Sequence, residues 1–223
     1  AIKDSALAAG ARRVEIIEEG MAAAIGAGLP VESARASMVV DIGGGTTEVG
    51  VISLGGLVYA NSIRVAGDRL DEVITNHIRS KHGLLIGDAT AEEVKKQIGS
   101  AHPDADNGEM EIRGRSVYDG LPKKVTISSS EIRGALNDAL EQMTTAVKQA
   151  LELTPPELSA DLMDSGIVLT GGGALLRGLD ILISQATHLE VTIAEDPLLC
   201  VAKGCGIALD HLASNNVYLS RTK

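Results

Sequence analysis

Two spacings of hydrophobic residues alternate along the chain and predict a mixed α/β protein. Short runs that are continuously apolar, or apolar at every second position, predict strands. The Leu-Gly-Gly at 54–56 predicts a hairpin turn between two of them. The segments predicted to be strands are 14–17, 38–42, 46–53, 57–65, 109–114, 123–128, 166–170 and 190–194.

Segments whose apolar residues lie three and four positions apart separate these strands and predict helices. The longest is predicted at 129–153, with Ser128 and Glu131 capping its start and the Pro-Pro at 155–156 ending it. Other helices are predicted at the N-terminus, at 18–29, from 68 onward, at 90–98, after 171 and at 198–212.

Two of these helices have predicted N-terminal caps, and both lie in a helix-rich region of the chain. Asp68 is expected to cap the helix that follows it, and Thr90 with Glu93 is expected to form a capping box. Because helices dominate the region from 68 to 153 and strands flank it, we predict that this region forms a lobe of its own.

Composition and charge narrow the possible functions. Hydrophobic residues make up 44% of the 223 residues, but there is no Trp or Phe and only three Tyr, so the core is aliphatic. The formal net charge of −10 repels phosphate backbones, and aromatic platforms for base stacking are scarce. We therefore expect no nucleic-acid partner.

The two cysteines and the chain ends give weaker indications. Cys200 and Cys205 fit no zinc-binding spacing, which favours a reducing cytoplasmic compartment. No apolar run has the length of a transmembrane helix. The chain opens without Met, inside a helical pattern, and is expected to be part of a longer protein.

Three glycines that follow Asp41 are the first candidate site. Gly43, Gly44 and Gly45 interrupt two strands, and bare backbone there lets several N–H groups approach an anion. Thr46 adds a hydroxyl donor. A carboxylate beside phosphate requires a divalent cation between them, so Asp41 predicts Mg²⁺, held through water. An ordinary hairpin with a bulge would explain this turn alone equally well.

A second glycine turn strengthens the ligand interpretation. Gly171, Gly172 and Gly173 follow a buried strand and precede a helix, where unpaired N–H groups favour an anionic or flat ligand. Two such turns after buried strands are hard to explain by packing. The patterns of a P-loop and of a Rossmann dinucleotide site are both absent.

The two glycine motifs and several other segments resemble those of a known family. The segments DIGGGTTEV and VLTGGGALLRGLD resemble the second phosphate loop and the adenosine loop of the actin/Hsp70/sugar-kinase superfamily. With AAAIGAGLPV, GDRLDEVI, LIGDATAEEVK, PPELSADL and AEDPLLCVAKG, the chain resembles the MreB family of bacterial actins across nearly all its length. The resemblance implies an actin-like (ribonuclease H-like) α/β ATPase fold, here partial and lacking most of the N-terminal subdomain.

The resemblance also implies a division into three parts. Residues 1–36 would be a remnant of the first subdomain with a hinge helix. Residues 37–67 together with 154–223 would be the core subdomain that carries the nucleotide loops. Residues 68–153 would be an inserted small, helix-rich subdomain.

Site residues follow from the resemblance position by position. Glu19 matches the glutamate that positions the attacking water, and Thr46 is assigned to the catalytic groups with it. Asp41 matches the carboxylate near Mg²⁺. The positions matched to nucleotide contacts are Asp41, Gly43, Gly44, Gly45, Thr46, Glu92, Glu93, Val94, Lys95, Gly171, Gly172, Gly173, Ala174 and Leu175. Without the resemblance, Glu92 and Lys95 would be interpreted as a surface ion pair, and Glu93 as a cap.

The function implied is that of an ATP-binding cytoskeletal filament subunit. Such proteins bind ATP and Mg²⁺, hydrolyse ATP slowly as a filament timer, and guide peptidoglycan synthesis and rod cell shape. The implied partners are further copies of the chain and the membrane shape proteins RodZ, MreC and MreD. The implied location is cytoplasmic, with membrane contact made by the full-length protein only.

Departures from the family pattern leave alternatives open. The family's first phosphate loop is not found in these residues, so the chain alone is expected to bind ATP poorly and to be inactive as an ATPase. Gly20 stands where the family usually has proline, beside Glu19. The alternatives are another ATPase of the superfamily, Hsp70-like or a sugar kinase, or an inactive fragment.

Overall fold

The computed structural model of the protein describes residues 1–213 and contains two β-sheets. The larger sheet has five strands in the order β3-β2-β1-β7-β8, and the smaller has three in the order β4-β5-β6. The strands are β1 (Ser37–Ile42), β2 (Thr47–Ser53), β3 (Gly56–Ile63), β4 (Leu84–Leu85), β5 (Glu109–Ser116), β6 (Pro122–Ser128), β7 (Ile167–Thr170) and β8 (Val191–Ile193).

The five-stranded sheet combines antiparallel hairpins with parallel strands. β1, β2 and β3 pair antiparallel in sequence, and β7 and β8 join the other side of β1 parallel to it. The β2–β3 turn places Leu54 and Gly55 at positive φ, which is the backbone that two-residue hairpins require. β1 is buried along its whole length and forms the centre of the sheet.

Eight α-helices and three short 3₁₀ segments surround these sheets in the described part of the chain. The helices are α1 (Ile2–Ala8), α2 (Glu19–Gly26), α3 (Gly67–His82), α4 (Asp88–Ile98), α5 (Ser129–Leu153), α6 (Pro156–Ser165), α7 (Leu179–Thr187) and α8 (Cys200–Ala213). None of the helices within residues 1–213 is both long and apolar enough to cross a membrane.

Alternate residues of β1 face two different packing layers. Val39 joins the buried cluster that contains Met21 and Ala24 of α2, whereas Val40 joins the main core with Leu136 and Met143 of α5. This period of two is what a central strand with helices on both faces requires. The sheet thus has helices on both faces. The carboxyl ends of the parallel strands β1 and β7 lie together at one edge of it.

The main core continues without a break from the first sheet to the second. Val40 of β1, Ile74 of α3, Ile112 of β5 and Ile127 of β6 belong to one buried cluster. α3, α4 and α5 carry this cluster between the sheets. The division into 1–36, 37–67 with 154–223, and 68–153 stays a prediction, and its residues 214–223 lie outside the described residues.

The structure confirms most of the predicted elements and corrects several details. The strands at 38–42, 46–53, 57–65 and 166–170 and the long helix are present, and the Ser128 hydroxyl accepts the Glu131 N–H. The predicted strand at 14–17 is wrong: within residues 1–213 no strand pairs with it, so it has no hydrogen-bond ladder. α6 and the two-residue β4 were not predicted.

Two predicted caps are also wrong. The N-cap of α3 is Ala66 and that of α4 is Gly87, and neither Asp68 nor Thr90 caps through its side chain. The N–H of Asp68 instead donates to the carbonyl of Gly44 at 2.8 Å. The start of α3 is therefore anchored by the first glycine turn rather than by a side chain.

Candidate functional site

A cleft of about 970 Å³ lies between the ends of β1 and β7 on one side and α3 and α4 on the other. Both glycine turns reach it, because β1 and β7 are parallel neighbours whose carboxyl ends meet at one sheet edge. The predicted site residues that line it are Glu19, Asp41, Gly43, Gly44, Glu92, Lys95, Gly171, Gly172, Gly173 and Leu175. Its volume is that of a pocket for a nucleotide-sized ligand.

Asp41 is the buried carboxylate of the cleft. It is 4% exposed and lies beside Thr170 in the β1–β7 register, and the Thr170 hydroxyl donates to Oδ1 at 2.6 Å. Burial raises the pKa of Asp41, and the hydrogen bond from Thr170 opposes that rise. A carboxylate held this way favours a cation nearby, which would replace the lost hydration.

The first glycine turn presents backbone donors that the described chain leaves unpaired. Gly43 closes the turn by donating to the carbonyl of Thr46 at 2.9 Å. The N–H groups of Gly44, Gly45 and Thr46 donate to no acceptor within residues 1–213. Gly44 and Gly45 are exposed, so these donors are free to bind an anion.

The second glycine turn is pressed against the end of β1. A Cβ at Gly171 would collide with the Ile42 backbone, and one at Gly173 with the Ile42 side chain. Gly171 also needs its φ of 79°, which is unfavourable for other residues. The N–H groups of Gly172 and Gly173 begin a 3₁₀ turn and have no acceptor in the described residues.

Helix α4 forms the far wall of the cleft. Lys96 pairs with Glu92 at 2.6 Å along the helix surface, and the hydrogen bond from Lys96 lowers the pKa of Glu92. Lys95 turns the other way, to Asp71 and the Gly67 carbonyl. Glu92 and Lys95 therefore do not form the ion pair that their spacing suggested. Glu92 pairs with Lys96, and Lys95 pairs with Asp71.

Five predicted residues do not line the cleft. Gly45 and Thr46 lie on the first turn beside it, and Glu93 accepts a hydrogen bond from Gln97 on the outer surface of α4. Val94 and Ala174 are fully buried, so their side chains belong to the core. Their site assignments stay predictions.

Glu19 lies at the junction of the cleft and a smaller pocket. It is the first residue of α2 and also lines a cavity of about 310 Å³ with Glu18 and Glu48. Burial, and then the negative charges of Glu19 and Asp41, raise the pKa of Glu48. Glu48 had not been predicted as a site residue. The predicted β1–β2 hairpin could have indicated it, because Glu48 pairs with Asp41 across the two strands.

Asp68 and Asp71 are two further residues of the cleft. Asp68 had been expected to cap α3 and Asp71 had not been predicted as a site residue, yet both line the cleft. Asp71 is 2.8 Å from Lys95, and its other oxygen, Oδ1, is buried without a hydrogen-bond partner. No local sequence pattern indicates this pair, because its members are 24 positions apart.

The residues present fit a nucleotide with Mg²⁺. Both glycine turns carry unpaired N–H groups and reach one cleft, which the buried carboxylate of Asp41 also lines. Within residues 1–213 no group of three or more His, Cys, Asp or Glu is placed to hold a metal by itself. One carboxylate with water and phosphate oxygens is an ordinary Mg²⁺ environment.

Comparison with known protein families and sequences gives one consistent result. The family described as MreB/Mbl protein matches residues 1–217. The chain is 57% identical over 212 residues to the cell shape-determining protein MreB of Escherichia coli K12, covering 95% of this chain and 61% of that protein. It is 47% identical over 212 residues to the cell shape-determining protein Mbl of Bacillus subtilis 168, covering 95% and 64%. The chain therefore spans less than two thirds of these relatives.

Solved structures agree with the sequence comparison. MreB 5 of Spiroplasma citri bound to AMPPNP superposes with a TM-score of 0.93 at 43% identity, covering 96% of this chain and 64% of that one. The MamK double helical filament superposes with a TM-score of 0.69 at 23% identity, covering 89% and 59%. The second likeness concerns the fold alone. The expected actin-like fold is confirmed.

Proposed function

Because this chain belongs to the MreB/Mbl family, we propose that it is part of an ATP-binding, actin-like filament subunit that organises peptidoglycan synthesis and cell shape. The observation that carries the proposal is the convergence of two glycine turns, with unpaired N–H groups, on one cleft beside Asp41. The relative bound to AMPPNP supports the same ligand class.

The chain's own residues have distinct tasks in this proposal. The N–H groups of Gly44, Gly45 and Thr46 bind the β- and γ-phosphates, and Gly172 and Gly173 lie against the adenosine. Asp41 would hold Mg²⁺. Mg²⁺ would neutralise the phosphate charge, which together with positioning is what phosphoryl transfer requires.

Glu19 is the residue proposed to orient the attacking water. It begins α2 and lines the cleft, and its charge helps to raise the pKa of the neighbouring Glu48. A carboxylate in this place would accept a hydrogen bond from water and thereby direct the water oxygen towards the phosphate. Thr46 adds a hydroxyl on the phosphate turn. Slow hydrolysis is the expected result in the full-length protein.

Assembly, partners and location complete the proposal. We propose self-association into filaments, which membership of the MreB/Mbl family supports. RodZ, MreC and MreD are proposed partners, and the location is the cytoplasm with membrane association of the full-length protein; the family resemblance supports both.

Nucleotide binding is tested by a variant that covers the first turn without straining the chain. A Cβ at Gly45 meets no atom within 4 Å, so Gly45→Val should fold normally. We expect MgATP binding, measured by calorimetric titration, to weaken about tenfold or more as the donors are shielded. Gly134→Val on α5 has equally open surroundings and should bind like the unaltered chain.

Assembly is tested by sedimentation of the chain with and without MgATP. Pelleting that depends on MgATP and is lost in Gly45→Val supports the filament subunit. Equal MgATP affinity in Gly45→Val and Gly134→Val would show that the turn does not bind the nucleotide and would overturn the proposed site.

A further inference from the structure

Lys95 joins helix α4 to the start of helix α3 inside the cleft. Its Nζ donates to the Gly67 carbonyl at 2.9 Å and to Asp71 Oδ2 at 2.8 Å. Both charged side chains are mostly buried, with 16% of Lys95 and 18% of Asp71 exposed. Charged hydrogen bonds shielded from water in this way hold their geometry more firmly than surface ion pairs.

Gly67 is also hydrogen-bonded to the first glycine turn. Its N–H donates to the Gly43 carbonyl at 3.1 Å, and the next N–H, of Asp68, donates to the Gly44 carbonyl at 2.8 Å. A Cβ on Gly67 would lie 3.3 Å from the Gly43 oxygen and 3.5 Å from Lys95 Nζ. The residue is therefore enclosed between the turn and the lysine.

These hydrogen bonds connect α4 to the first glycine turn without a gap. Lys95 lies at one end and Gly43 and Gly44 at the other, with Gly67 and Asp68 between them. The Gly43 and Gly44 carbonyls are thereby directed towards the start of α3. Because the C=O and the N–H of a trans peptide point in opposite directions, the N–H groups of Gly44 and Gly45 point away from it. The orientation of the anion donors depends on where α3 begins.

Asp71 makes the lysine necessary. Burial raises the pKa of Asp71, and Lys95 is the cation whose hydrogen bond and charge oppose this rise. Its Oδ1 is already without a partner. Loss of the lysine would leave a buried carboxylate with neither oxygen compensated, so α3 would be expected to shift at its first turn.

We propose that Lys95, supported by Asp71, is a positioning residue that fixes the first glycine turn for binding phosphate, so that the two walls of the cleft are mechanically coupled. Resemblance to the family assigns Lys95 to contact with adenosine; the geometry gives it a role at the phosphate end as well. The consequence for ligand binding rests on the proposed nucleotide function, whereas the coupling within the chain does not.

Amide hydrogen exchange without any ligand tests the coupling directly. In Lys95→Met the Gly67 and Asp68 amides, which donate to the turn, should exchange about tenfold faster or more relative to the amides of β1. Asp71→Asn keeps the side-chain shape and the Lys95–Gly67 bond, and should show a smaller increase. Gln97→Met, on the same helix but outside the cleft, should leave these two amides unchanged.

Exchange that increases uniformly over the chain, or not at all at Gly67 and Asp68, would overturn the proposal. Should Lys95→Met fail to fold, Asp71→Asn carries the same comparison, with unchanged Gly67 and Asp68 exchange as the contradicting result.

Magnesium tripolyphosphate, which has no base or sugar, then separates positioning from direct contact. Its affinity, measured by calorimetric titration, should fall about tenfold in Lys95→Met and stay unchanged in Gln97→Met. An affinity equal to that of the unaltered chain would mean that Lys95 contacts only the adenosine and would overturn its role at the phosphate end. If the unaltered chain binds neither tripolyphosphate nor MgATP, the proposed function fails, and hydrogen exchange still decides whether the coupling exists.

Discussion

Asp41 occupies the least favourable position for a charge in the cleft, which is a mark of function at the scale of a single residue. It is buried at the end of a central strand, where the Thr170 hydroxyl donates a hydrogen bond to it. A site optimised only for stability would place a neutral side chain there. The cost of the carboxylate is understandable if a cation completes the site.

Asp41→Asn should therefore separate stability from binding. The raised pKa of Asp41 means that its stabilising contribution is present below the ordinary value of 3.8 and is lost as pH rises through the folded-state pKa. At pH 7 we expect the variant to be as stable as the unaltered chain or about 1 kcal/mol more stable in urea unfolding. MgATP affinity should fall about tenfold or more. A clear loss of stability would contradict this account.

Glu131 shows the opposite balance. Burial alone would raise its pKa, but hydrogen bonds from His82, His77 and Lys81 outweigh burial and lower the pKa to about 2. Nε2 of His82 and of His77 lie 2.6 Å and 2.9 Å from the same carboxylate oxygen. The start of α5 is thus tied to the end of α3.

Glu131→Gln should destabilise the chain at neutral pH and remove part of its acid sensitivity. Because the folded pKa lies below the ordinary 4.5, the stabilisation is present above 4.5 and is lost as pH falls towards about 2. We expect a loss of about 2 kcal/mol at pH 7 in urea unfolding, shrinking as the pH approaches 2. Glu152→Gln, exposed on the same helix, serves as control. Equal stability of both variants would refute the role of this cluster.

At the scale of elements, the crossing of α2 and α8 depends on two glycines. A Cβ on Gly26 would overlap the Cys200 carbonyl, and one on Gly204 would overlap the Ala22 carbonyl. The helices therefore touch backbone to backbone, and no flexible side chain is available to move aside.

Gly26→Ala and Gly204→Ala should each cost about 2–3 kcal/mol of unfolding free energy, because the helices must separate to admit a methyl group. Gly206→Ala on α8, where a Cβ meets no atom within 4 Å, should be neutral or up to about 1 kcal/mol stabilising through helix propensity. Denaturant titration of the three variants provides the comparison. A tolerated Gly204→Ala would mean that the helices do not cross this closely.

Long, strongly patterned elements could be predicted from the sequence because their periodicity reports burial directly. β1, β2 and α5 agree with prediction since each has many positions that share one environment. The wrongly predicted or missed elements are those whose conformation depends on contacts with distant parts of the chain. The segment 14–17 has strand composition without a neighbouring strand, and α6 begins at Pro156, a residue interpreted as a stop although proline suits a first helical turn.

The candidate site was predictable where backbone conformation is encoded by glycine, and unpredictable where distant side chains meet. The two glycine turns were recognised, and they do reach one cleft. The Lys95–Asp71 pair and the approach of Glu48 to Glu19 depend on how α3 packs on α4 and β2 on α2. Such pairs carry no local pattern, because the fold, not the spacing, brings them together.

At the scale of the whole molecule, the two sheets share one core. Residues from the five-stranded sheet, from α3 and α5, and from the three-stranded sheet belong to one buried cluster. Separate cores would allow each sheet to unfold by itself, whereas a shared core couples them, because opening one sheet exposes apolar surface of the other. The predicted subdomains should therefore not be independent in stability.

The chain should accordingly unfold in a single cooperative transition, and its tyrosines make the prediction measurable. Tyr59 lies in β3 of the first sheet and Tyr118 in the turn that links β5 and β6 of the second. With ring-labelled tyrosine, the native NMR signals of both should disappear at the same temperature, and the calorimetric and van't Hoff enthalpies should agree. Loss of Tyr118 well before Tyr59 would mean that the second sheet has a stability of its own. The proposed coupling between α4 and the first glycine turn would then have to operate across a boundary that opens independently, and Lys95 would hold the turn only while the second sheet stays folded.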